Sequence, residues 1–431
     1  MRIRILLFLL ITILPLHILK AEEQDSTLFL DDLVGILLTD NPELKASYQQ
    51  WKSVQEEIPQ AGALPDPVLG LGFMNVPVDN FVFDREPMTG KQLSLMQMVP
   101  FPGKLGVRKQ IARDDADIEK WKYMDRRNSL INQLKNNYYE LFFVHKAIET
   151  NRNNQKVLEQ LVQVAETRYR VGKGIQQDIL SAQVAISKMT DNLLILQQKK
   201  KMLESTINVL LNRPPKQFRG IPVEIKTESL DLNLEEIMHI ARENNPFLMI
   251  RESTVRQNEN RVKLARKEYL PDLSVQISYT RREELQNGMP GVDFISGMVN
   301  VTLPVYFWKK QNKQVEKNRL QEMSSRSLYQ SAVTLIRENL EITYQDLKKN
   351  QKRMELFESG IIPLIRQSLQ SALSAYQVDK IDFLSVLDNQ MKLYEYELEF
   401  YRIVTDYMKN IAELELIAGK ELQPTKDSKE Q

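Results

Sequence analysis

Arg168-Tyr-Arg-Val-Gly-Lys-Gly-Ile-Gln-Gln-Asp-Ile-Leu-Ser-Ala-Gln183 decides how this chain folds. Heptad-spaced apolar residues run into the stretch and out of it again. Between them Gly172 and Gly174 are expected to break the helix, because glycine enters the left-handed conformation of a helix C-terminus at no steric cost. Asp178 then falls in the first turn of the next helix, where a negative charge meets the positive helix end. The stretch reads as the tip of a long antiparallel helical hairpin. About two hundred residues on, Ser374-Ala-Tyr-Gln-Val-Asp-Lys-Ile-Asp-Phe-Leu-Ser-Val-Leu-Asp388 reads as a second tip.

The helices meeting at these tips are long. Lys104 to Arg170 would extend about 100 Å at 1.5 Å per residue, and Trp308 to Tyr376 about as far. Ile131, Leu134, Tyr138, Leu141, His145 and Ile148 alternate three and four apart, as do Ile186, Met189, Leu193, Leu196, Lys200, Leu203, Ile207 and Leu210. Leu384, Leu387, Met391, Tyr394, Leu398 and Tyr401 continue the rule. This is a coiled-coil seam. His145 lies in it as a packing position rather than a metal ligand, and His239 has no partner in sequence.

The landmarks come in pairs. Asn41-Pro42 recurs as Asn245-Pro246, Leu64-Pro65-Asp66 as Leu270-Pro271-Asp272, Pro100 as Pro304, Tyr138 as Tyr344 and Tyr169 as Tyr376. Their offsets stay between 204 and 207 residues, which indicates an internal duplication. Each half is expected to begin with a short helix, Thr27 to Thr39 or Leu234 to Glu243, ended where proline disfavours helix in the residue before it. A second helix to about Ala63 or Tyr269, two strands and a helical hairpin follow. The first repeat spans 22–212, with strands at about 67–76 and 91–99 and the hairpin at 103–212. The second spans 233–419, with strands at about 272–281 and 294–303 and the hairpin at 306–418. Residues 213–232 form a linker, and the polar tail 420–431 is expected to be disordered.

The strands carry functional information. In Leu273–Thr280, Leu273, Val275, Ile277 and Tyr279 share one face while Ser274, Gln276, Ser278 and Thr280 share the other. Ile295–Leu303 places Ser296, Asn300 and Thr302 on its polar face. Strands of this length, apolar on one side and small-polar on the other, match a membrane barrel with a wet lumen. A soluble sheet with one buried face gives the same alternation, but the aromatics at the strand exits, Phe101 and Tyr306-Phe-Trp308, favour a bilayer interface. Four strands cannot close a barrel, and an open edge in lipid is costly, so several copies must share one.

Composition narrows the rest. Basic and acidic residues nearly cancel, 58 against 57, so no nucleic-acid surface is announced. Absence of cysteine rules out disulfides, thiolate metal sites and a cysteine nucleophile. Met1 to Ala21 has a basic start and a short apolar core interrupted by Pro15, the pattern of a secretory signal; its removal takes the net charge from +1 to −2. No later stretch is apolar enough for a membrane helix. No phosphate loop, metal-ligand box or catalytic triad is present, so neither enzyme nor cofactor is expected. Met96 and Met98 share a strand face; thioethers suit Cu(I), but the reading adopted is of apolar residues facing lipid or lumen.

In these residues the chain resembles the TolC-like outer-membrane efflux proteins. The resemblance runs from the Leu28 helix to Gly419. It rests on both tip stretches, Val386-Leu-Asp-Asn-Gln390, the Asn-Pro duplicates, the Pro-bounded strands and Leu210-Leu-Asn-Arg213. It implies a mainly α fold with a small membrane β-barrel contribution: a homotrimer sharing a twelve-stranded barrel in the outer-membrane lipid, above a helical tunnel through the periplasm. It also implies a periplasmic adaptor and an inner-membrane pump. The wording of the first tip is nearest the branch paired with heavy-metal resistance-nodulation-division pumps. The adaptor would dock at Val171-Gly172-Lys173 and Val378-Asp379-Lys380, the exposed ends.

The gate positions that the resemblance implies are Tyr376, Asp388, Ser385 and Ile381. Relatives hold two aspartates and an arginine there, so one acidic ring is kept while Ser385 lacks the second and Ile381 lacks the arginine. Asp379 stands where relatives often carry glycine, an exchange aspartate tolerates. Asp388 could equally be a solvated helix charge, and Tyr169 and Tyr376 coil-packing aromatics. A periplasmic or surface coiled-coil spacer or adhesin is the alternative to an export duct.

Overall fold

The computed structural model describes residues 26–214, 220–225, 230 and 232–422; the expected leader lies outside them, as do parts of the linker and of the tail. The order of elements repeats. Helices α1 (Leu30–Asp40), α2 (Pro42–Gln55) and α3 (Glu57–Gly62) precede strands β2 (Val68–Met74) and β3 (Gly90–Val99). The hairpin of α4 (Lys104–Arg170) and α5 (Gln176–Leu210) follows. Then come α6 (Leu234–Asn244), α7 (Pro246–Lys267), β5 (Asp272–Arg281), β6 (Phe294–Thr302), α8 (Gln311–Leu356), α9 (Ile362–Gln377) and α10 (Phe383–Ala418). A short parallel pair that the sequence did not announce, β1 (Ser26–Leu28) with β4 (Gly220–Pro222), ties the start of the described chain to the segment between the halves. Tyr138 holds this pair: its hydroxyl donates to Leu28 O at 2.8 Å and accepts from Val223 N at 3.2 Å.

The Asn-Pro duplicates do more than bend the chain. Each proline occupies the first turn of its helix, where its missing N–H costs nothing. Each asparagine caps that helix: Asn41 Oδ1 accepts from Leu44 N at 3.0 Å and Asn245 Oδ1 from Leu248 N at 2.9 Å. Their amide nitrogens reach across to the ends of the returning helices, to Leu210 O at 2.9 Å and Ile417 O at 2.7 Å. One side chain therefore starts one helix and satisfies the end of another, 169 or 172 residues away.

Two helices expected to be continuous are interrupted. The helix to about Ala63 divides at Glu56, because Pro59 offers no N–H to Gln55 O. The stretch Trp308–Tyr376 becomes helical only at Gln311 and opens into a π-turn at Phe357–Ile361. Pro363 is the cause: it cannot donate to Ser359 O and its ring would strike that carbonyl. The turn widens, and Ile362 N bonds Phe357 O instead. No such break occurs in α4, which runs 67 residues without interruption.

Three apolar clusters hold the helices together. Leu33, Leu37, Leu134, Val144, Ile207 and Leu211 form one in the first half, and Ile237, Ala241, Leu248, Leu340, Leu414 and Ala418 its counterpart. The third, at the tips, joins α4, α5, α9 and α10 through Leu158, Ala182, Met189, Tyr376, Phe383 and Val386. Above it a buried polar layer interrupts the seam. Gln390 donates to Asn154 Oδ1 at 2.7 Å, Asn151 to Tyr394 Oη at 3.2 Å and Asn154 to Met189 Sδ at 3.3 Å. Slipping the helices by one turn would strand these buried groups, so the layer fixes register.

The four long strands form one antiparallel sheet in the order β2-β3-β5-β6, leaving β2 and β6 as free edges. Lys104 fixes the junction between sheet and helices. Its ammonium, 1% exposed, donates to Asp272 Oδ1 at 2.9 Å, Leu270 O at 3.0 Å and Glu268 Oε2 at 3.3 Å. A lysine in the first helical turn opposes the helix dipole, and here two carboxylates compensate it. Tyr306, Phe307 and Trp308 lie exposed just past β6, their rings in edge-on contact.

Candidate functional site: the hairpin tips and the polar sheet face

Both tips end in the same backbone device. At the first, Gly172 takes φ +72° and donates to Tyr169 O at 3.0 Å, while Lys173 N reaches Arg168 O at 2.9 Å. At the second, Asp379 takes φ +60° and donates to Tyr376 O at 3.2 Å, while Lys380 N reaches Ala375 O at 2.9 Å. This paired bonding is the Schellman arrangement, which satisfies the last carbonyls of a helix. Gly174 plays a different part from the one expected. Its φ is not positive; a Cβ there would sit 3.2 Å from Tyr169 N, so close packing, not handedness, favours glycine. Val171 and Val378, the apolar residues of the two tips, are both largely exposed.

The tips are tied together by a residue that sequence reasoning missed. Arg168, at the end of α4, donates to Tyr376 O at 3.0 Å, places its guanidinium 4.5 Å from the centre of the Tyr376 ring and pairs with Asp379. Arginine can do all three at once because its charge is planar and stacks. Arg168 thus links the end of the first hairpin's long helix to the tip of the second. The duplication held a signal for it: the residue before the duplicated tyrosine is arginine in the first half, Arg168, and alanine in the second, Ala375.

The two duplicated tyrosines diverge. Tyr169 is half exposed, whereas Tyr376 is buried against Phe383, ring centres 5.7 Å apart, with no hydrogen-bond partner for its hydroxyl. Burial pushes the Tyr376 phenol above its ordinary value, with Arg168 opposing and Asp178 adding to the shift. Ser385 is occupied in capping: its N and Oγ both donate to Asp382 Oδ1, at 2.8 and 2.6 Å. Ile381 packs on the tip cluster and lines a shallow groove with Leu364, Ser371 and Ala375. Asp388 stands apart, exposed on α10 and paired with Lys392 at 2.7 Å. The structure thus brings Tyr376 and Asp379 together around Arg168 and leaves Asp388 on an open helix face.

Further along the hairpin Glu140 accepts from Lys199 at 2.5 Å, Arg402 at 2.8 Å and Lys409, drawing α5 and α10 onto α4. Burial alone would raise its pKa, but the hydrogen bonds from Arg402, Lys199 and Lys409 outweigh it and hold the carboxyl well below the usual range.

In the sheet, register assigns every residue to a face. Ser274 lies opposite Asn300 and Ser278 opposite Ser296, while Gln276, Thr280 and Thr302 align with them. Asn300 Nδ2 donates to Ser274 Oγ at 3.4 Å. All seven polar residues singled out in the sequence therefore share one surface. Leu71, Leu93, Leu95, Ile277, Val299 and Val301 share the other and are exposed.

The profile of the family described as outer membrane efflux protein matches the chain twice, over residues 33–213 and 237–420. "Toxin and drug export protein A" of Aggregatibacter actinomycetemcomitans is 21% identical over 316 residues, 68% of this chain and 69% of its own length. The cobalt-zinc-cadmium resistance protein CzcC of Cupriavidus metallidurans is 18% identical over 407 residues, 93% of this chain and 92% of its own. The outer membrane protein VceC of Vibrio cholerae superposes with a TM-score of 0.76 at 15% identity, over 91% of this chain and 97% of its own. The repeated family match, together with a fold of paired helical hairpins hung from a four-stranded sheet, establishes that the chain belongs to the outer membrane efflux protein family, whose members are outer-membrane channels extending into the periplasm.

Proposed function

We propose that three copies of this chain share one barrel and one tunnel, and that the assembly is the passive exit duct for cargo delivered by an adaptor and an inner-membrane pump. The observation that carries the trimer is the sheet. Four strands with two unpaired edges and an exposed apolar face cannot rest in lipid alone. A second feature supports it. Among the described residues α5 is the one helix long and apolar enough to cross a membrane by length and composition. This qualifies the expectation that no such stretch follows the leader. Yet α4 packs along α5, and the exposed apolar residues form a stripe: Leu180, Val184, Ile195, Met202 and Val209. The stripe is suited to the open flank of the next copy, where α8 and α9 expose Leu328, Leu335, Ile342 and Leu364. Native mass spectrometry of the detergent-extracted protein should return a trimer; a folded, membrane-inserted monomer would end the shared-barrel reading.

Within that assembly we assign Tyr376, Ile381, Ser385 and Asp388 to the periplasmic constriction, and the tips at Val171–Lys173 and Val378–Lys380 to adaptor docking. Support comes from their place at the far end of the hairpins from the sheet and from the two exposed valines. The polar sheet face would line the lumen. Similarity to CzcC over nearly the whole chain favours a pump of the resistance-nodulation-division type and heavy-metal cations among the cargo. The spacer or adhesin reading loses its ground, since a soluble sheet would bury its apolar face and this one leaves it exposed.

A further inference from the structure

The strand register gives Met96 and Met98 company that the sequence could not show. Met96 lies opposite Gln276, and Gln276 opposite Met298, so the three residues form one row across β3, β5 and β6. Met98 is two residues along on the same face, opposite Ser274. The row belongs to the surface that carries Ser274, Ser278 and Asn300, not to the apolar one. Met298 and Met98 are exposed there, and leucine or valine would fill such positions with less freedom. Neighbouring strands lie about 4.8 Å apart and same-face residues along a strand about 7 Å apart. Flexible thioether side chains on that grid can lean toward one another across Gln276.

We propose that Met96, Met98 and Met298 form a thioether site on the lumen wall for a soft monovalent cation, Cu(I) or Ag(I), with the Gln276 amide oxygen beside it. The inference rests on the polar sheet face being the lumen, as in the preceding section. Thioether sulfur is a soft, uncharged donor, so it discriminates for d¹⁰ monovalent ions against Zn(II), Co(II) or Mg(II), which prefer imidazole or oxygen. An uncharged donor set also holds the ion loosely. A conduit needs that quality, since a site that binds too tightly stops flow. Closing the barrel with three chains repeats the row three times around the wall, giving successive weak sites at one height rather than one deep sink.

The test uses the detergent-solubilised wild-type protein, Met298→Leu and the triple variant Met96→Leu/Met98→Leu/Met298→Leu, with Ag(I) in chloride-free nitrate buffer. Leucine conserves volume, so the barrel should persist, and Met298→Leu, one volume-conserving change at an exposed side chain, keeps the test open if the triple variant fails to assemble. Titration calorimetry should show Ag(I) sites in the wild type that are absent from the triple variant, with affinity in Met298→Leu lowered about tenfold or more. Zn(II) should bind all three proteins alike. In planar bilayers Ag(I) should produce brief blockages of the wild-type pore and none in the triple variant. Equal Ag(I) binding and equal block in all three would overturn the thioether site while leaving the duct intact. Absence of any pore in the wild type would instead remove the lumen reading on which the site depends.

Discussion

Arg168→Ala should unlatch the second hairpin tip from the first. The substitution removes a charged donor from Tyr376 O, worth about 1–1.5 kcal/mol, and a cation–π contact worth about 0.5–1 kcal/mol. The Asp379 pair adds no more than about 0.5 kcal/mol, because that carboxylate is 58% exposed. Together these contribute about 1.5–3 kcal/mol toward the paired tips, a shift of about 12- to 140-fold in the ratio of paired to parted tips. Single-channel recording in planar bilayers reads it directly: resting open probability should rise by that order in Arg168→Ala. Arg168→Lys should fall between variant and parent, because lysine keeps the charge and loses the planar stacking. Tyr376→Ala should raise resting conductance as well, removing both the ring and its apolar contacts. Closed-state current in Arg168→Ala indistinguishable from the parent would refute the latch.

Gly172→Trp should abolish export and leave the trimer in the membrane. There is open space for a side chain at φ +72°, so the fold bears the change at a strain of about 1–2 kcal/mol while the docking surface is altered; efflux assays paired with membrane fractionation check it. Glu140→Gln should cost about 2 kcal/mol in denaturant unfolding at pH 7, leaving Arg402, Lys199 and Lys409 to repel one another. Because folding depresses the Glu140 pKa, its contribution is complete above the unfolded carboxyl value of about 4.3. It fades as pH falls through the folded one, so the gap between parent and variant should narrow in acid. Asp388→Asn should remove most of any block by divalent cations added at the periplasmic side; unchanged block would mark Asp388 as the Lys392-paired surface charge seen in the single chain.

Periodicity and punctuation made much of the fold legible. The heptads placed α4, α5 and α10, and the dyads placed β5 and β6, because each pattern reports which side of an element is buried. The π-turn was harder to see, since a proline signals a disturbance without saying whether the helix ends or merely widens. Lys104 was hidden for a different reason: a lysine in a first turn looks like a solvated charge until Glu268 and Asp272, more than 160 residues away, arrive around it. The tips were legible as turns, since residue type alone signals the left-handed conformation there: Gly172 has no Cβ to oppose it and Asp379 tolerates it. Their coupling was not, because Arg168 acts through a contact 208 residues distant in sequence.

The π-turn at Phe357–Ile361 makes the two hairpins mechanically unequal. An uninterrupted α-helix resists bending along its whole length, so α4 behaves as a stiff strut. The partner rod carries one point where the hydrogen-bond ladder is widened and a donor is missing, and compliance concentrates there. Below it α9 can swing as a rigid lever of 16 residues, about 24 Å long, converting a change of a few degrees at the proline into an ångström or more of travel at Tyr376. In the trimer proposed above, three such levers and three fixed struts would form an iris that dilates by rotation about three fulcra, its stroke set by where in the chain the proline sits.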